Sequence, residues 1–500
     1  MKKEQPKRAP NPGKPLYSAN DFLRNGAAPS KPEGHERYRT EFRRDYQRLI
    51  HSPAFRRLQG KTQLFPSEEH DFYRTRLTHS IEVAQVAKSI ATRLNDTDPY
   101  FSKSPNTAID YDLIEFSAVA HDIGHPPFGH NGEYVLDKLM IDHGGFEGNA
   151  QTLRILTCLE KKATTEFPAT RAFSDKGDLR RGLNPTVRSI AATLKYDRLI
   201  PKTKAERIRA KTETEPCKGY YFTEIDTINR VKEIVGGGHK GRFKTIECAI
   251  MDVADDIAYS TYDLEDAFAA GFLNPIAILS FDDDAKKDIT SRIQRKIDVE
   301  FSDLSAPQRN FSIDDMNQTL TRVFSSILQL DNSIFDREWS TETLSTQVGS
   351  EVYRASLLLA KSPYHRTQFT SDLIGVFVNG IEVARLGDDP RFWQVRPKLQ
   401  QFVAIETLKM ICYTQLINSD KFLAERQRAD HLIDRIFQAL KNGGSDLLPM
   451  DWRRVYDHYR DDGLQTNRAV CDYISGMTNR FCQETYCRLF GAEPVSIHRP

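Results

Sequence analysis

Three histidines fall within ten residues of a chain that holds only thirteen, in the run His121-Asp-Ile-Gly-His-Pro-Pro-Phe-Gly-His-Asn-Gly-Glu133. A divalent metal of borderline softness takes a few imidazole and carboxylate ligands converging from rigid elements. The dipeptide His121-Asp122 offers one of each. Adjacent helical residues point about 100° apart, so both reach one ion only at a helix end, where the backbone can bend inward. The pair sits at such an end: apolar Leu113, Ile114, Phe116, Val119 and Ala120 precede it, and Gly124 and Pro126-Pro127 follow. His79, shortly after Arg74-Thr-Arg, supplies another imidazole. Any one of these taken alone reads as a core or capping histidine; their density favours ligation.

A later acidic run adds carboxylates. From Met251 onward, Asp255, Tyr259 and Asp263 recur at i, i+4 and i+8, one stripe of a helix. Two carboxylates and a phenol are odd for a packing face. Asp256, Glu265 and Asp266, off the stripe, read as a solvated acidic face.

The elements that must position these residues are helical. Apolar Val83, Val86, Ala87, Ile90 and Leu94 share one face of a helix over 80–94, with Thr78 as its cap. Further helices are expected over 110–123, 245–270 (closed by Gly271), 285–301, 313–330, 403–418 and 429–441. Gly236-Gly-Gly reads as a hinge or tight turn before the helix at 245. Residues 1–35, rich in Pro, Gly, Lys and Asn, read as a flexible tail. Loose Lys/Arg clusters over 160–244 read as a basic excursion from the helical core. The expected organisation is all-α: the tail, a catalytic domain over 36–280 that includes the excursion, and a C-terminal helical lobe over 281–500.

Composition narrows the class. The 28 Phe and 19 Tyr allow a sizeable core, and 70 Lys+Arg nearly cancel 69 Asp+Glu, which excludes a chain basic all over. No apolar run approaches the roughly 18–20 residues that cross a bilayer. The seven scattered cysteines form no C-x-x-C pair and read as reduced cytoplasmic thiols.

The segments Phe55-Arg-Arg-Leu-Gln-Gly-Lys-Thr-Gln-Leu-Phe-Pro, Arg74-Thr-Arg-Leu-Thr-His-Ser, the His121 run, Phe146-Glu-Gly-Asn-Ala-Gln, Gly182-Leu-Asn, Lys195-Tyr196 and Ala254-Asp-Asp-Ile-Ala-Tyr follow one another over about 50–265. Together they resemble the HD-domain deoxynucleoside triphosphate triphosphohydrolases, the bacterial dGTPase family. The resemblance implies hydrolysis of a dNTP, dGTP above all, to the deoxynucleoside and inorganic tripolyphosphate. It implies His79, His121, Asp122 and Asp255 as ligands of a divalent ion: Mg or Mn, with Fe, Ni, Zn or Co as other candidates. His130 and Glu133 are implied as the pair that orients water and handles protons, with His125 beside them against a phosphate. Arg76, Asn184, Lys195, Tyr196 and Lys218 are implied to grip the polyphosphate. Gln63 and Asp263 would hold the 3′-OH, and Leu64 and Tyr259 would leave no room for a 2′-OH. The family also implies a homo-oligomer, often a hexamer, with single-stranded DNA or a dNTP as candidate effector.

Two other readings compete. The metal motif alone permits an HD phosphohydrolase acting on another nucleotide, and the basic segments at 160–218 permit a nucleic-acid-binding or nucleotide-sensing protein.

Overall fold

The computed structural model describes residues 15–25, 38–63, 73–165, 172–175, 177–212, 216–279, 281–324, 341–385, 387–417 and 420–491. These residues are mostly helical, with two antiparallel or paired two-stranded ladders as the only sheets among them. The chain divides into two units. Unit 1 holds Met1–Asp252, Arg385–Gln394 and Glu425–Pro500; unit 2 holds Val253–Ala384 and Val395–Ala424. The helix Ile246–Ala269 runs through the boundary.

In unit 1 the His79 helix spans Arg76–Thr97. Its cap is Thr75, not Thr78 as the spacing suggests. Thr78 stands at the third helical position, where its hydroxyl accepts from the Thr75 amide at 3.0 Å, while the Thr75 hydroxyl accepts from the Thr78 amide at 3.4 Å. This reciprocal arrangement satisfies two amides at the helix start, and it places Arg76 and His79 on the first turn. The expected apolar face of Val83, Val86, Ala87, Ile90 and Leu94 is buried and packs against the helix Tyr111–Ala120. Asp110 caps that second helix by accepting from Leu113 N at 3.0 Å.

The turn after Ala120 crosses the helix Gly148–Arg154 very closely. A Cβ on Gly124 would lie 2.1 Å from the Gly148 carbonyl oxygen and 2.3 Å from Thr152 N, so only glycine fits. Thr152 fastens the crossing: its hydroxyl donates to the His121 carbonyl and accepts from Gly124 N, each at 3.1 Å. The helix Gly129–Leu139 follows, entered through Phe128 in the left-handed region at φ +64°.

Residues beyond 425 return to this unit rather than joining a lobe that begins at 281. Val135, Leu136, Met140 and Phe146 form one core with Ile433, Phe437, Val470 and Ile474. The apolar stripes of Asp420–Gly443 and Gly463–Ser475 need a partner, and the Gly129–Leu139 helix supplies it. The stretch 160–244 is likewise not a simple excursion. Every residue of the helix Val187–Thr193 is buried. Val187, Ile190 and Leu194 share a core with Ile228, Val231 and Val235. The scattered cations hide this helical spacing, because Arg188 is itself buried and bonded to Glu247 at 2.9 Å.

The expected tail is corrected in part. Leu16 is buried, and the Tyr17 hydroxyl donates to Glu247 at 2.8 Å. Residues 1–14 and 26–37 lie outside the described residues.

Unit 2 is built on the helix Leu399–Ile417, against which Asp283–Glu300 and Ile313–Phe324 pack. The helix expected over 313–330 is described as far as Phe324. Arg396 binds Asp303 at 2.7 and 2.8 Å and Glu382 at 3.0 Å, beside the paired strands Ile381–Ala384 and Gln394–Pro397.

One buried ion cluster sets the register of unit 1. Arg154 donates to Asp472 at 2.8 Å and to Glu224 at 2.9 Å, and all three are buried. Arg154→Ala leaves two buried carboxylates without their cation and is expected to cost about 3–5 kcal/mol, measured by chemical denaturation. Stability within about 0.5 kcal/mol of wild type would contradict this account.

Candidate metal centre and catalytic pair

His79 comes from the first turn of its helix, His121 from the end of Tyr111–Ala120, and Asp255 from the helix Ile246–Ala269. All three are buried, and one ligating atom of each lies within 4.8 Å of the others. His121 Nδ1 is 2.6 Å from the Ala118 carbonyl oxygen. A carbonyl only accepts, so Nδ1 carries the proton and Nε2 is left as the donor toward the cluster. Two imidazoles and a carboxylate in a buried setting fit a borderline divalent ion.

Asp122 stands at the edge of this trio. Its Oδ1 is 3.3 Å from His121 Nε2 and 3.0 Å from His125 Nδ1. Its Oδ2 accepts from Arg76 Nη1 at 2.8 Å. Arg76, fully buried, therefore orients the carboxylate in addition to any phosphate contact. The choice between neighbouring aspartates is physical: Asp256 is ion-paired with Lys409 at 2.5 Å, whereas Asp255 faces the histidines.

The second cluster joins His125, His130 and Glu133, again with ligating atoms within 4.8 Å of one another. His130 is exposed, with Nδ1 3.0 Å from Glu133 Oε2. Glu133 is buried, and its Oε1 accepts from Gly148 N at 2.8 Å. Burial works against its charge. The hydrogen bond and charge of His130, the charge of His125 and the Gly148 amide outweigh that and hold the carboxyl well below its usual range. Glu147 has the opposite bias: burial, then the charge on Glu133, push it up. The two neighbouring acids are thus biased in opposite directions. Burial and the Arg76 charge push His125 down, against the pull of Asp122.

The remaining candidates fall into separate groups. Lys218 Nζ donates to the Tyr196 hydroxyl at 3.2 Å and lies 5.2 Å from that ring's centroid. Lys195 is paired with Asp252 at 2.7 Å, and Lys244 binds the same carboxylate. Asn184 is buried at φ +50° and is held by other partners. Gln63 is half-buried, Tyr259 is half-buried and Asp263 is buried. Leu64 lies outside the described residues.

Sequence reasoning missed Glu147, Asp252 and Lys61. Lys61 is buried, and its ammonium donates to the carbonyls of His125 and, at 2.9 Å, Ser475. Burial and the charges of Arg57 and Arg76 push it down to about 7. It lies inside the Phe55 run, but a lysine between glycine and threonine reads as surface charge until the fold closes over it.

Comparison with known proteins gives the family. The HD domain family model matches residues 76–260, which contain both clusters, and the Phosphohydrolase-associated domain matches 396–488. A Mesorhizobium japonicum protein named deoxyguanosinetriphosphate triphosphohydrolase-like protein 2 is 39% identical over 504 residues, covering 97% of this chain and all of that one. Deoxyguanosinetriphosphate triphosphohydrolase-like proteins of Aliivibrio fischeri (30%, 90% of this chain and 93% of that one) and Shewanella sediminis (29%, 92% and 94%) extend the likeness. The chain belongs to the HD-domain phosphohydrolases of the bacterial deoxyguanosinetriphosphate triphosphohydrolase (dGTPase) family.

His121→Ala or Asp255→Ala is expected to lose the bound divalent ion, read by elemental analysis of the purified protein, with an unchanged far-ultraviolet circular dichroism spectrum. Retention of one ion per chain in both variants would remove these residues from the ligand set. Glu133→Gln is expected to lower kcat by about 10²–10⁴-fold, the range of a lost proton-transfer partner. Glu147→Gln, a neutral isostere at the acid that burial biases toward its neutral form, is expected to stay within a few-fold of wild type. Equal losses in the two variants would contradict the division of charge between them.

Proposed function

We propose that the protein hydrolyses deoxynucleoside triphosphates, dGTP preferentially, to the deoxynucleoside and inorganic tripolyphosphate. The observation that carries this reading is the buried His79–His121–Asp255 trio beside His130, which is held by the buried Glu133. The names of the relatives support the same reaction. An ion held by the trio, with Asp122 as fourth ligand, supplies Lewis acidity at the α-phosphate and makes nearby water more acidic. Mn²⁺ or Mg²⁺ is the proposed ion.

The chain's own groups supply the rest. Water attacks the α-phosphorus and the bond from that phosphorus to the 5′-oxygen breaks. The water gives up a proton, and the departing 5′-oxygen requires one. His130, exposed toward solvent and anchored by Glu133, is the group to move protons at that point. A triphosphate near −4 needs several cations, and Lys195, Lys218 and Arg76 with Tyr196 and Asn184 are the proposed grip. Gln63 and Asp263 are proposed to bond the 3′-OH, and Tyr259 with Leu64 to exclude a 2′-OH. The seven free thiols support a cytoplasmic setting.

The test is a panel of dNTPs and NTPs with Mn²⁺ or Mg²⁺, with mixed dNTPs and single-stranded DNA as possible activators and products identified by ³¹P NMR. Tripolyphosphate from dGTP is expected. Monophosphate or pyrophosphate as product would instead favour a different HD phosphohydrolase. In Tyr259→Ala the preference for dNTP over NTP in kcat/KM should fall by about tenfold or more; an unchanged preference would refute the sugar-wall assignment.

A further inference from the structure

Residues 15–25 form a packed strap on unit 1. Leu16 N donates to the Asn106 carbonyl at 2.9 Å, and the Tyr17 hydroxyl accepts from Asp110 N at 3.0 Å. At its far end the strap pairs with the turn that carries Asn184. Val187 N donates to the Leu23 carbonyl at 2.8 Å, and Arg24 and Thr186 form an antiparallel bridge.

Arg24 is the centre of this junction. Its Nη1 donates both to Asp45 Oδ1 at 2.6 Å and to the Asn184 carbonyl at 2.5 Å, and its Nη2 donates to Glu41 Oε2 at 2.8 Å. The side chains of Arg24 and Asp45 are 7% and 0% exposed, so this is a built ion pair and not a surface contact. The other oxygen of Asp45 accepts from Thr186 N and Ser189 Oγ, each at 2.8 Å. Arg48 Nη1 adds a second bond to the Asn184 carbonyl at 3.3 Å.

These groups add to a turn closed by Asn184 N, which donates to the Arg181 carbonyl at 2.9 Å. Gly182 is at φ +56° and Asn184 at φ +50°, two left-handed residues around Leu183. Asparagine tolerates that region better than other side-chain-bearing residues, but it stays there only where its surroundings fix it. Two guanidiniums on its carbonyl join the Arg181 carbonyl on its amide in fixing it.

We propose that Arg24 is a positioning residue for substrate: it sets the Asn184 backbone and so aims Asn184 at the polyphosphate. The strap is then part of the substrate site. This rests on the reading of Asn184 as a phosphate-gripping residue. Asn184 grips a part of the substrate that does not react, so its contribution is uniform binding, which changes KM and leaves kcat in place.

The experiment compares full-length wild type, Arg24→Ala, Arg24→Lys and Asn184→Ala in steady-state kinetics with dGTP, and in calorimetric binding of tripolyphosphate. Arg24→Ala is expected to raise KM and the tripolyphosphate Kd by about tenfold while kcat stays within about threefold, the signature of lost uniform binding. Arg24→Lys, which keeps the charge without the fork, should fall between. Where Arg24→Ala does not fold, Arg24→Lys and Asp45→Asn give the same comparison. A folded Arg24 variant with unchanged KM and Kd overturns the proposal, even if its thermal midpoint drops. A normal Asn184→Ala beside an active wild type overturns the phosphate role of Asn184 and the proposal with it. A wild type that neither cleaves any dNTP nor binds tripolyphosphate overturns the triphosphohydrolase reading itself.

Discussion

The turn that carries His121 and Asp122 meets the helix Gly148–Arg154 backbone against backbone, with Gly124 set against Gly148 and Thr152. No side chain fits between them. That contact lets the Thr152 hydroxyl take the His121 carbonyl and brings Gly148 N to Glu133. The metal-facing histidine and the carboxylate that anchors His130 are thus referred to the same short helix. A shift of that crossing moves both clusters together, and catalytic geometry is sensitive to displacements of about 1 Å.

Around the crossing, unit 1 is tied by buried guanidinium–carboxylate pairs: Arg76 with Asp122, Arg154 with Asp472 and Glu224, Arg188 with Glu247, and Arg207 with Asp137. Each joins segments far apart in the chain. Such pairs add little net stability over an apolar replacement, but loss of one partner leaves a buried charge uncompensated, so they penalise misassembly strongly. Two of them also act on the site. Arg76 aims Asp122 at the edge of the metal trio, and Arg154 anchors the C-terminal end of the helix that begins at Gly148.

The site separates its charges by function. Glu133 is kept ionised beside His130, while its neighbour Glu147 is pushed toward the neutral form and caps the Gly148 helix by accepting from Ala150 N at 2.8 Å. Two adjacent buried acids with opposite biases avoid a double negative charge inside the site. The cations are organised likewise. Asp252 gathers Lys195 and Lys244, and Lys218 rests on Tyr196, so neither lysine of the proposed grip has to be ordered from solvent.

Much of this was legible in the residues alone. A dense histidine run at a helix end, a carboxylate stripe at i, i+4 and i+8 and long 3.6-periodic segments depend on local spacing, which sequence records directly. They indicated an all-helical fold and marked His79, the His121 run and the Asp255 stripe as candidates, while the roles within that set came from the resemblance to the family. Tertiary structure decided what spacing does not encode. Thr75, not Thr78, caps the His79 helix, because the side chain that receives the amide depends on where the chain enters. Residues 15–25 and 425–491 join unit 1 because their apolar faces find partners distant in the chain. Lys61, Arg24 and Glu147 read as ordinary surface charges until folding removes them from water. A charged side chain acquires its role from the groups that surround it once buried, and those groups come from segments up to hundreds of residues away.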